Sequence, residues 1–312
     1  MTDAYTVAPL PSCPPGGDRA GVAEGIAAWL GSAAMTALLD AFGFRLPTAG
    51  PLADRLTDAA RFSARWDYRK GMERHQAVGE TFEPELDALI RQATAALGLA
   101  DCSTPAAQRY DHVLVLGAGV RTMLARADLA ATVLRAGIGV STVVGLGSTR
   151  PLVGHAETTR ELGLRPCPTE GDAVEASLRR EFGLGEPTSR RDGDGWWVRE
   201  HAYARPPVSV LAAPSTRPGM RANTADTLVG WADLLPGAVR GARLLLVTTD
   251  MFVPFQHCDA VRVLGLGYGA MIETIGFATA TSRWVPPADT FEVLQEVRSA
   301  IHSMQLLYAA VD

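Results

Sequence analysis

Two glycines near the middle of the chain could form an anion-binding turn. Gly117 and Gly119 follow a short apolar run at 112–116 (HVLVL) and precede a segment with helical spacing. Glycine lets backbone N–H groups approach an anion closely, and the N-terminus of a helix adds partial positive charge. We therefore expect Gly117, Gly119 and the following Arg121 to bind an anionic group. A tight strand-to-helix turn without a ligand is the alternative.

A second glycine-rich stretch, 145–150 (GLGSTR), follows the next β-branched run. Its glycines, hydroxyls and arginine could hold a phosphate, and the residues expected to do so are Gly147, Ser148 and Arg150. Glu157 lies just beyond, and its carboxylate could act as a general base or bind a hydroxyl group. The alternative is a solvated loop in which Glu157 lies at the start of a helix.

Polar residues also follow the third expected strand. Ser215, Thr216 and Arg217 precede Asn223 and Thr224, which open a helical segment. Asn223 is well suited to cap that helix. Because capping alone accounts for one polar residue and not for the cluster, we expect these side chains to bind substrate, with Asn223 also serving catalysis. Local capping remains the alternative.

The fourth expected strand, Leu244–Val247, ends in two hydroxyl residues. Thr248 and Thr249 stand there, and Phe252 and Phe255 follow shortly after. Hydroxyl groups beside aromatic rings suit a planar ligand with a polar edge. Packing without a ligand is the alternative.

These four loops are positioned by short strands that alternate with helices. The alternation predicts an α/β, Rossmann-like, mostly parallel sheet with helices on both faces. In such a sheet, ligands bind outside the carboxyl ends of the strands. An ordinary NAD site is disfavoured, because Thr122 interrupts a GxGxxG pattern and no acidic residue ends the second strand. Gly193–Arg199 is expected to add a hairpin or edge strand.

The first third of the chain has a different pattern. We assign 1–108 to an N-terminal arm and helical region, and 109–312 to the Rossmann-like domain with a closing C-terminal helix. Helical spacing covers 22–43, 51–76 and 83–98. Within the second of these segments an arginine row recurs at intervals of four, so that its members share one helix face. If the helical region covers the sheet, this row could clamp a phosphate; a solvated face is the alternative. Its members are Arg61, Arg65 and Arg69.

Composition narrows the function classes. The net charge of −5 disfavours a general nucleic-acid partner, whose phosphates require a basic face. The four cysteines are widely separated, which favours a reduced cytoplasmic protein and gives no metal-binding pattern. The sequence shows neither a signal peptide nor a long apolar run, so we expect no membrane association. The apolar stretch Met304–Ala310 could serve a homodimer contact or the core.

The order of the four loops resembles the SanA/YdcF-like family, a bacterial α/β domain, over roughly 110–275. Its departures are Asp226-Thr227 in place of Glu-Asn, Phe252 and Gln256 in place of His and Arg, and the lack of a membrane anchor. The resemblance implies a ligand that is phosphorylated or nucleotide-like, S-adenosylmethionine included. It places eight residues in one pocket: Gly117, Gly119, Arg121, Glu157, Ser215, Asn223, Thr224 and Thr248.

Two functions from different classes follow. The first is a soluble hydrolase or group transferase acting on a phosphorylated or nucleotide-like small molecule in a bacterial biosynthetic pathway, with Glu157 as the base. The second is a non-catalytic protein that senses a nucleotide or S-adenosylmethionine through the same loops. An oligomeric scaffold in a biosynthetic assembly is a third hypothesis.

Overall fold

The computed structural model describes residues 5–13, 19–71, 76–100, 102–217 and 219–312. It contains an N-terminal helical region and a seven-stranded sheet with helices on both faces. The fold class predicted from the sequence is therefore confirmed.

The helical region has shorter helices than the spacing predicts. It consists of α1 (Arg19–Leu30), α2 (Ala33–Ala41), α3 (Leu52–Ser63) and α4 (Pro84–Thr94). A 3-10 turn, Ala64–Trp66, ends α3, and a π-helical turn, Ala95–Leu99, ends α4. The Ser32 side chain accepts a hydrogen bond from the Met35 backbone and so caps α2.

The sheet contains five parallel strands and an antiparallel hairpin. The strands are β1 (Arg109–Leu116), β2 (Gly139–Ser148), β3 (Ser189–Gly193), β4 (Trp196–His201), β5 (Val208–Ala213), β6 (Arg243–Thr249) and β7 (Met271–Phe277). Their order is β3-β4-β5-β2-β1-β6-β7, with β4 antiparallel to β3 and β5. The hairpin expected from Gly193–Arg199 is thus present at one edge.

Helices cover both faces of the sheet. They are α5 (Val120–Arg135), α6 (Ala156–Glu161), α7 (Glu170–Phe182), α8 (Thr224–Leu234), α9 (Pro236–Val239), α10 (Val253–Ala260), α11 (Leu266–Tyr268) and α12 (Thr290–Tyr308). Residues of α5 and α7 share a core with one face, and residues of α8 and α9 share a core with the other. The parallel strands are consequently apolar along most of their length, as strands buried on both sides should be.

The C-terminal helix α12 completes the core of the helical region. Its buried residues Leu294, Val297 and Ile301 belong to the same cluster as Trp29 and Leu38 from the first helices. A capping box between Asp289 and Glu292 begins α12. Helix α12 therefore holds the N-terminal region against α10.

The N-terminal arm is an extended strap over 5–13, with 1–4 and 14–18 outside the described residues. Ala8 is buried and its backbone N–H donates to the Ala96 carbonyl oxygen at 2.8 Å. Among the described residues no single helix has the length and apolarity needed to cross a membrane, although the bent pair α1 and α2 together passes that test of length and composition.

Candidate functional site

The path of the chain predicts a ligand-binding crevice at the carboxyl ends of β1 and β6. From β1 the chain first adds β2 and β5 on one side, and then returns to add β6 and β7 on the other. In open α/β sheets such a reversal separates the flanking helices, and ligands bind in the gap. The residues that follow Leu116 and Thr249 therefore form the candidate site.

Gly117 and Gly119 make the turn from β1 into α5. A Cβ atom at position 117 would lie 2.8 Å from the Leu146 carbonyl oxygen and 2.9 Å from Cδ of Glu170. A Cβ atom at position 119 would lie 3.1 Å from Cε1 of His155. Gly119 is the N-cap of α5 and provides no side-chain cap. The turn therefore exposes the positive end of a sixteen-residue helix to the crevice.

Arg126 holds this turn from inside the protein. Its side chain is 1% exposed. Nη1 donates to the carbonyl oxygens of Leu116 at 2.7 Å and Gly117 at 2.8 Å, and Nη2 donates to Oγ1 of Thr249 at 3.1 Å. One buried guanidinium group thus joins the ends of β1 and β6, and it brings the predicted residue Thr249 to the glycine turn.

Glu170 forms the other side of the turn. It is buried, and its carboxylate accepts hydrogen bonds from Oγ of Ser148 at 2.7 Å and from Nη2 of Arg150 at 2.7 Å. Two predicted ligand residues therefore lie beside Gly117. The reasoning against NAD relied on the lack of an acidic residue at the end of β2, and Glu170 supplies a carboxylate at that place from α7.

Asp250 orders the loops on the β6 side. Its side chain is 4% exposed, and Oδ2 accepts hydrogen bonds from the Thr279 backbone at 3.0 Å and hydroxyl at 3.3 Å. Oδ1 accepts from the Met251 backbone at 2.8 Å. The loop after β7 is thereby fixed against the end of β6.

Gln256 connects two predicted residues on the other face of the sheet. Its Nε2 donates to Oγ1 of Thr224 at 2.8 Å, and its Oε1 accepts from the buried Thr248 hydroxyl. The structure therefore brings Thr224 and Thr248 together. Both hydroxyl groups are already engaged with the protein.

The polar side chains before α8 form hydrogen bonds with one another. Asn223 and Asp226 form a capping box, with Asp226 N–H donating to Asn223 Oδ1 at 3.0 Å and Asn223 N–H donating to Asp226 at 2.8 Å. The Asp226 carboxylate also accepts from the Ser215 and Thr216 hydroxyl groups. Burial opposes ionisation of Asp226, but the hydrogen bonds from Thr216 and Asn223 outweigh it and lower the pKa. Ser215, Thr216 and Asn223 are thus already bonded to Asp226 within the protein, and their contact with a substrate stays a prediction.

Four predicted residues have other surroundings. Arg121 is exposed and pairs with Glu161 at 3.1 Å. Glu157 is exposed on α6, and Arg217 is exposed beside Ser215, to which its backbone N–H donates. Gly147 lies within β2 and not in a loop, because the backbone of α7 packs directly on it.

The arginine row does not continue along one helix. Helix α3 ends at Ser63, and after the 3-10 turn the Asp67 side chain accepts a hydrogen bond from the Lys70 backbone at 3.1 Å. This local bond competes with helical pairing. Arg69 therefore lies outside the helix, and 72–75 lie outside the described residues.

Each of the three arginines has a partner in the helical region. Arg61 pairs with Asp58 at 3.3 Å, and Arg65 donates to the Phe42 carbonyl oxygen at 3.1 Å. Arg69 pairs with the buried carboxylate of Glu296 on α12. None of the contacts seen in the described residues brings the row to the Gly117–Gly119 turn.

The sequence carried weak signals for the residues that were missed. Glu170 opens a helix whose acidic first turn is visible in the sequence, yet only the sheet order shows that it reaches Gly117. His155 lies close to Glu157 in the sequence, and Glu157 was predicted as the base instead. Arg126 has no local signature, because a single arginine in a helix is usually exposed.

Fold and site together define an α/β protein with a Rossmann-like sheet, a helical N-terminal region and a strand-end crevice. The comparisons agree on its relatives. The model of the Rv3785 N-terminal domain matches residues 13–98. The chain is 30% identical to the uncharacterized protein Rv3785 of Mycobacterium tuberculosis and to the uncharacterized protein Mb3814 of Mycobacterium bovis, over 98% of this chain and 96% of each relative.

The chain therefore belongs to the Rv3785 family. The assignment to the SanA/YdcF-like family is wrong, because the matching family model and the relatives are those of the Rv3785 family. Many Rossmann-like sheets share this order of loops at the strand ends. Loop order alone therefore does not identify the family. No solved structure matches this chain.

Proposed function

We propose that the protein is a hydrolase or group transferase that binds a phosphorylated or nucleotide-like small molecule at the Gly117–Gly119 turn. The observation that carries this proposal is the turn itself: two glycines, held by buried Arg126, open the N-terminus of α5 at the switch point of the sheet. An oxyanion placed there would accept hydrogen bonds from the first N–H groups of the helix.

Two side chains beside the turn could contribute to chemistry. His155 approaches Gly119 from α6, and histidine transfers protons near neutral pH. Arg150 carries positive charge and is oriented by its ion pair with Glu170. We therefore propose His155 for proton transfer and Arg150 for charge stabilisation. Glu157 is no longer the preferred base, because its carboxylate is exposed and no described hydrogen bond or ion pair orients it.

A non-catalytic binding protein is the second candidate. It is favoured by the hydrogen bonds that Ser215, Thr216 and Asn223 form with Asp226. Because these groups are engaged within the protein, fewer polar groups are left to act on a substrate. Binding at the glycine turn is common to both candidates. They differ in whether replacing His155 removes turnover or only alters affinity.

The binding step can be tested by placing a charge at the N-cap. Gly119 has φ −65° and ψ 160°, a conformation that aspartate and asparagine adopt freely. Both residues cap helices well, so Gly119→Asp and Gly119→Asn should fold with similar stability. Only the aspartate brings negative charge to the anion site. We expect inorganic phosphate, AMP or S-adenosylmethionine to raise the Tm of the asparagine variant and of the wild type, but not that of Gly119→Asp.

Equal ligand-induced Tm shifts in the two variants would contradict binding at this turn. Once a ligand is identified, His155→Asn tests catalysis, with the exposed His302→Asn as the matched control. Loss of turnover with affinity retained supports the enzyme. Turnover that survives in His155→Asn removes His155 from the mechanism.

A further inference from the structure

A second cleft lies far from the strand-end crevice, at the amino ends of the parallel strands. It has a volume of about 310 Å³ and lies between the end of α7 with its following loop and the end of β4 with the loop that leads to β5. His201, which lines it, pairs in the sheet with Val208, the first residue of β5. The volume is at the lower end of the range for small-molecule sites, roughly 300–1,000 Å³.

His201 is a buried polar group in this cleft, and its contact with the nearest carboxylate is too long for a hydrogen bond. The residue is only 3% exposed, and neither ring nitrogen has a hydrogen bond among the described residues. The nearest carboxylate oxygen, Oε1 of Glu175, lies 3.6 Å from Nε2. Leaving a buried polar group without a hydrogen bond is unfavourable, so such a group beside a cavity points to a partner from outside the chain.

The charges around the cleft favour an anion. Glu186, on its wall, forms ion pairs with Arg179 at 3.0 Å, Arg165 at 2.7 Å and Arg190 at 3.3 Å. Hydrogen bonds from Arg179 and then Arg165 lower the pKa of Glu186 to about 2. Arg205, on the opposite wall, is exposed and adds a further positive charge. Arg179 also lies 4.0 Å from Glu175, which pairs with Arg199 as well, so the arginines around the cleft, with Arg205, outnumber the carboxylates that they contact.

The side chain of Thr188 joins the two walls of the cleft. The Thr188 hydroxyl donates to the Glu200 carbonyl oxygen at 2.9 Å and accepts from the Ala202 backbone N–H at 3.1 Å. These bonds join the loop after α7 to the end of β4. Tyr203, 86% exposed, stands at the rim and offers a flat ring without a packing function. The cleft is thus a preformed feature with a rigid floor.

We propose that this cleft is a second binding site, for a small molecule bearing a carboxylate or phosphate, which interacts with Arg205 and hydrogen-bonds to His201. The two walls supply different chemistry: arginine charge for the oxyanion, and an imidazole that can donate through one nitrogen and accept through the other. The site is separate from the glycine turn, because it lies at the amino ends of the parallel strands and the turn lies at their carboxyl ends.

Histidine NMR on the full chain can test this proposal. The chain has six histidines, so labelling with ¹⁵N-histidine gives few resonances, and His201→Gln assigns the one in question. We would titrate the protein with inorganic phosphate and, separately, with citrate. The expected result is a saturable shift of the His201 signals at millimolar concentration with one or both anions. Which anion acts distinguishes phosphate esters from carboxylates as the ligand class.

Two arginine variants make the test specific. Arg205→Gln removes a charge from the cleft and should weaken anion binding by at least about tenfold, which corresponds to about 1.4 kcal/mol. Arg45→Gln, 93% exposed in the helical region, removes the same charge elsewhere and should change nothing. The proposal is overturned if His201 does not respond to either anion, or if its response is equal in both variants.

A third variant separates binding from folding. His201→Phe keeps a ring of similar shape but removes both unsatisfied nitrogens, so it should be at least as stable as the wild type and should not bind the anion. Binding in this variant would be followed by calorimetry. Unchanged affinity in His201→Phe would show that the imidazole does not contact the ligand.

Discussion

Replacing Gly147 with alanine tests whether this glycine packs or binds a ligand. A Cβ atom there would lie 2.6 Å from Cα and 2.9 Å from N of Gly171, both main-chain atoms of α7. Ordinary contacts between carbon atoms are about 3.5–4.0 Å, so α7 would have to move by about 1 Å relative to β2. Overpacking of this kind costs about 1–3 kcal/mol. For a chain of 312 residues this corresponds to a fall in Tm of about 2–5 °C.

Thermal unfolding of Gly147→Ala and a matched glycine variant measures this effect. Gly237 lies in α9, where a Cβ atom would meet no other atom within 4 Å. Gly237→Ala should therefore raise the stability, by up to about 1 kcal/mol. If Gly147 instead formed a phosphate loop, its alanine variant would melt like the wild type and lose the Tm shift caused by phosphate. That result would refute the packing role.

Three further predictions concern buried groups. Arg126→Met should lower the free energy of unfolding by at least about 1–3 kcal/mol in urea titrations, because the carbonyl acceptors of the glycine turn lose their donor. In the native protein a thiol reagent should modify half-buried Cys102 before Cys258, whose complete burial raises the thiol pKa. Burial lowers the pKa of His257, so below about pH 6.5 the unfolded chain binds a proton that the folded chain does not, and stability falls as the pH decreases. His257→Gln should make that acid limb shallower, by at most about 1.4 kcal/mol per pH unit; an unchanged slope would contradict this assignment.

The strands could be predicted because burial on both faces leaves a strong local pattern. Runs such as 112–116 and Leu244–Val247 are short and mostly apolar, and each lies within an observed strand. The residues at which the strands end were less predictable. Gly147 and Ser148 were expected in a loop, yet β2 continues to Ser148, because glycine at this position lets α7 approach the strand. The sequence pattern for close packing and that for a phosphate loop are the same here.

Helix caps illustrate what local sequence can and cannot determine. Asn223 was recognised as a cap, but the reach of Asp226 to Ser215 and Thr216 depends on how the loop folds back over the helix N-terminus. The prediction that the three arginines share one helix face is wrong for a related reason. A helix register carried past Ser63 assumes that no side chain competes for the backbone, and Asp67 does so.

The candidate site depends on contacts between residues that are distant in sequence, and those could not be predicted. Arg126 binds the end of its own preceding strand and also Thr249, which is 123 residues away. Glu170 reaches Ser148 across 22 residues. Neither side chain follows a strand directly, which is where the rule for α/β sheets directs attention. Both serve the main-chain turn at Gly117, so the chemistry of this crevice depends first on how its backbone is held and only then on side chains that face a ligand.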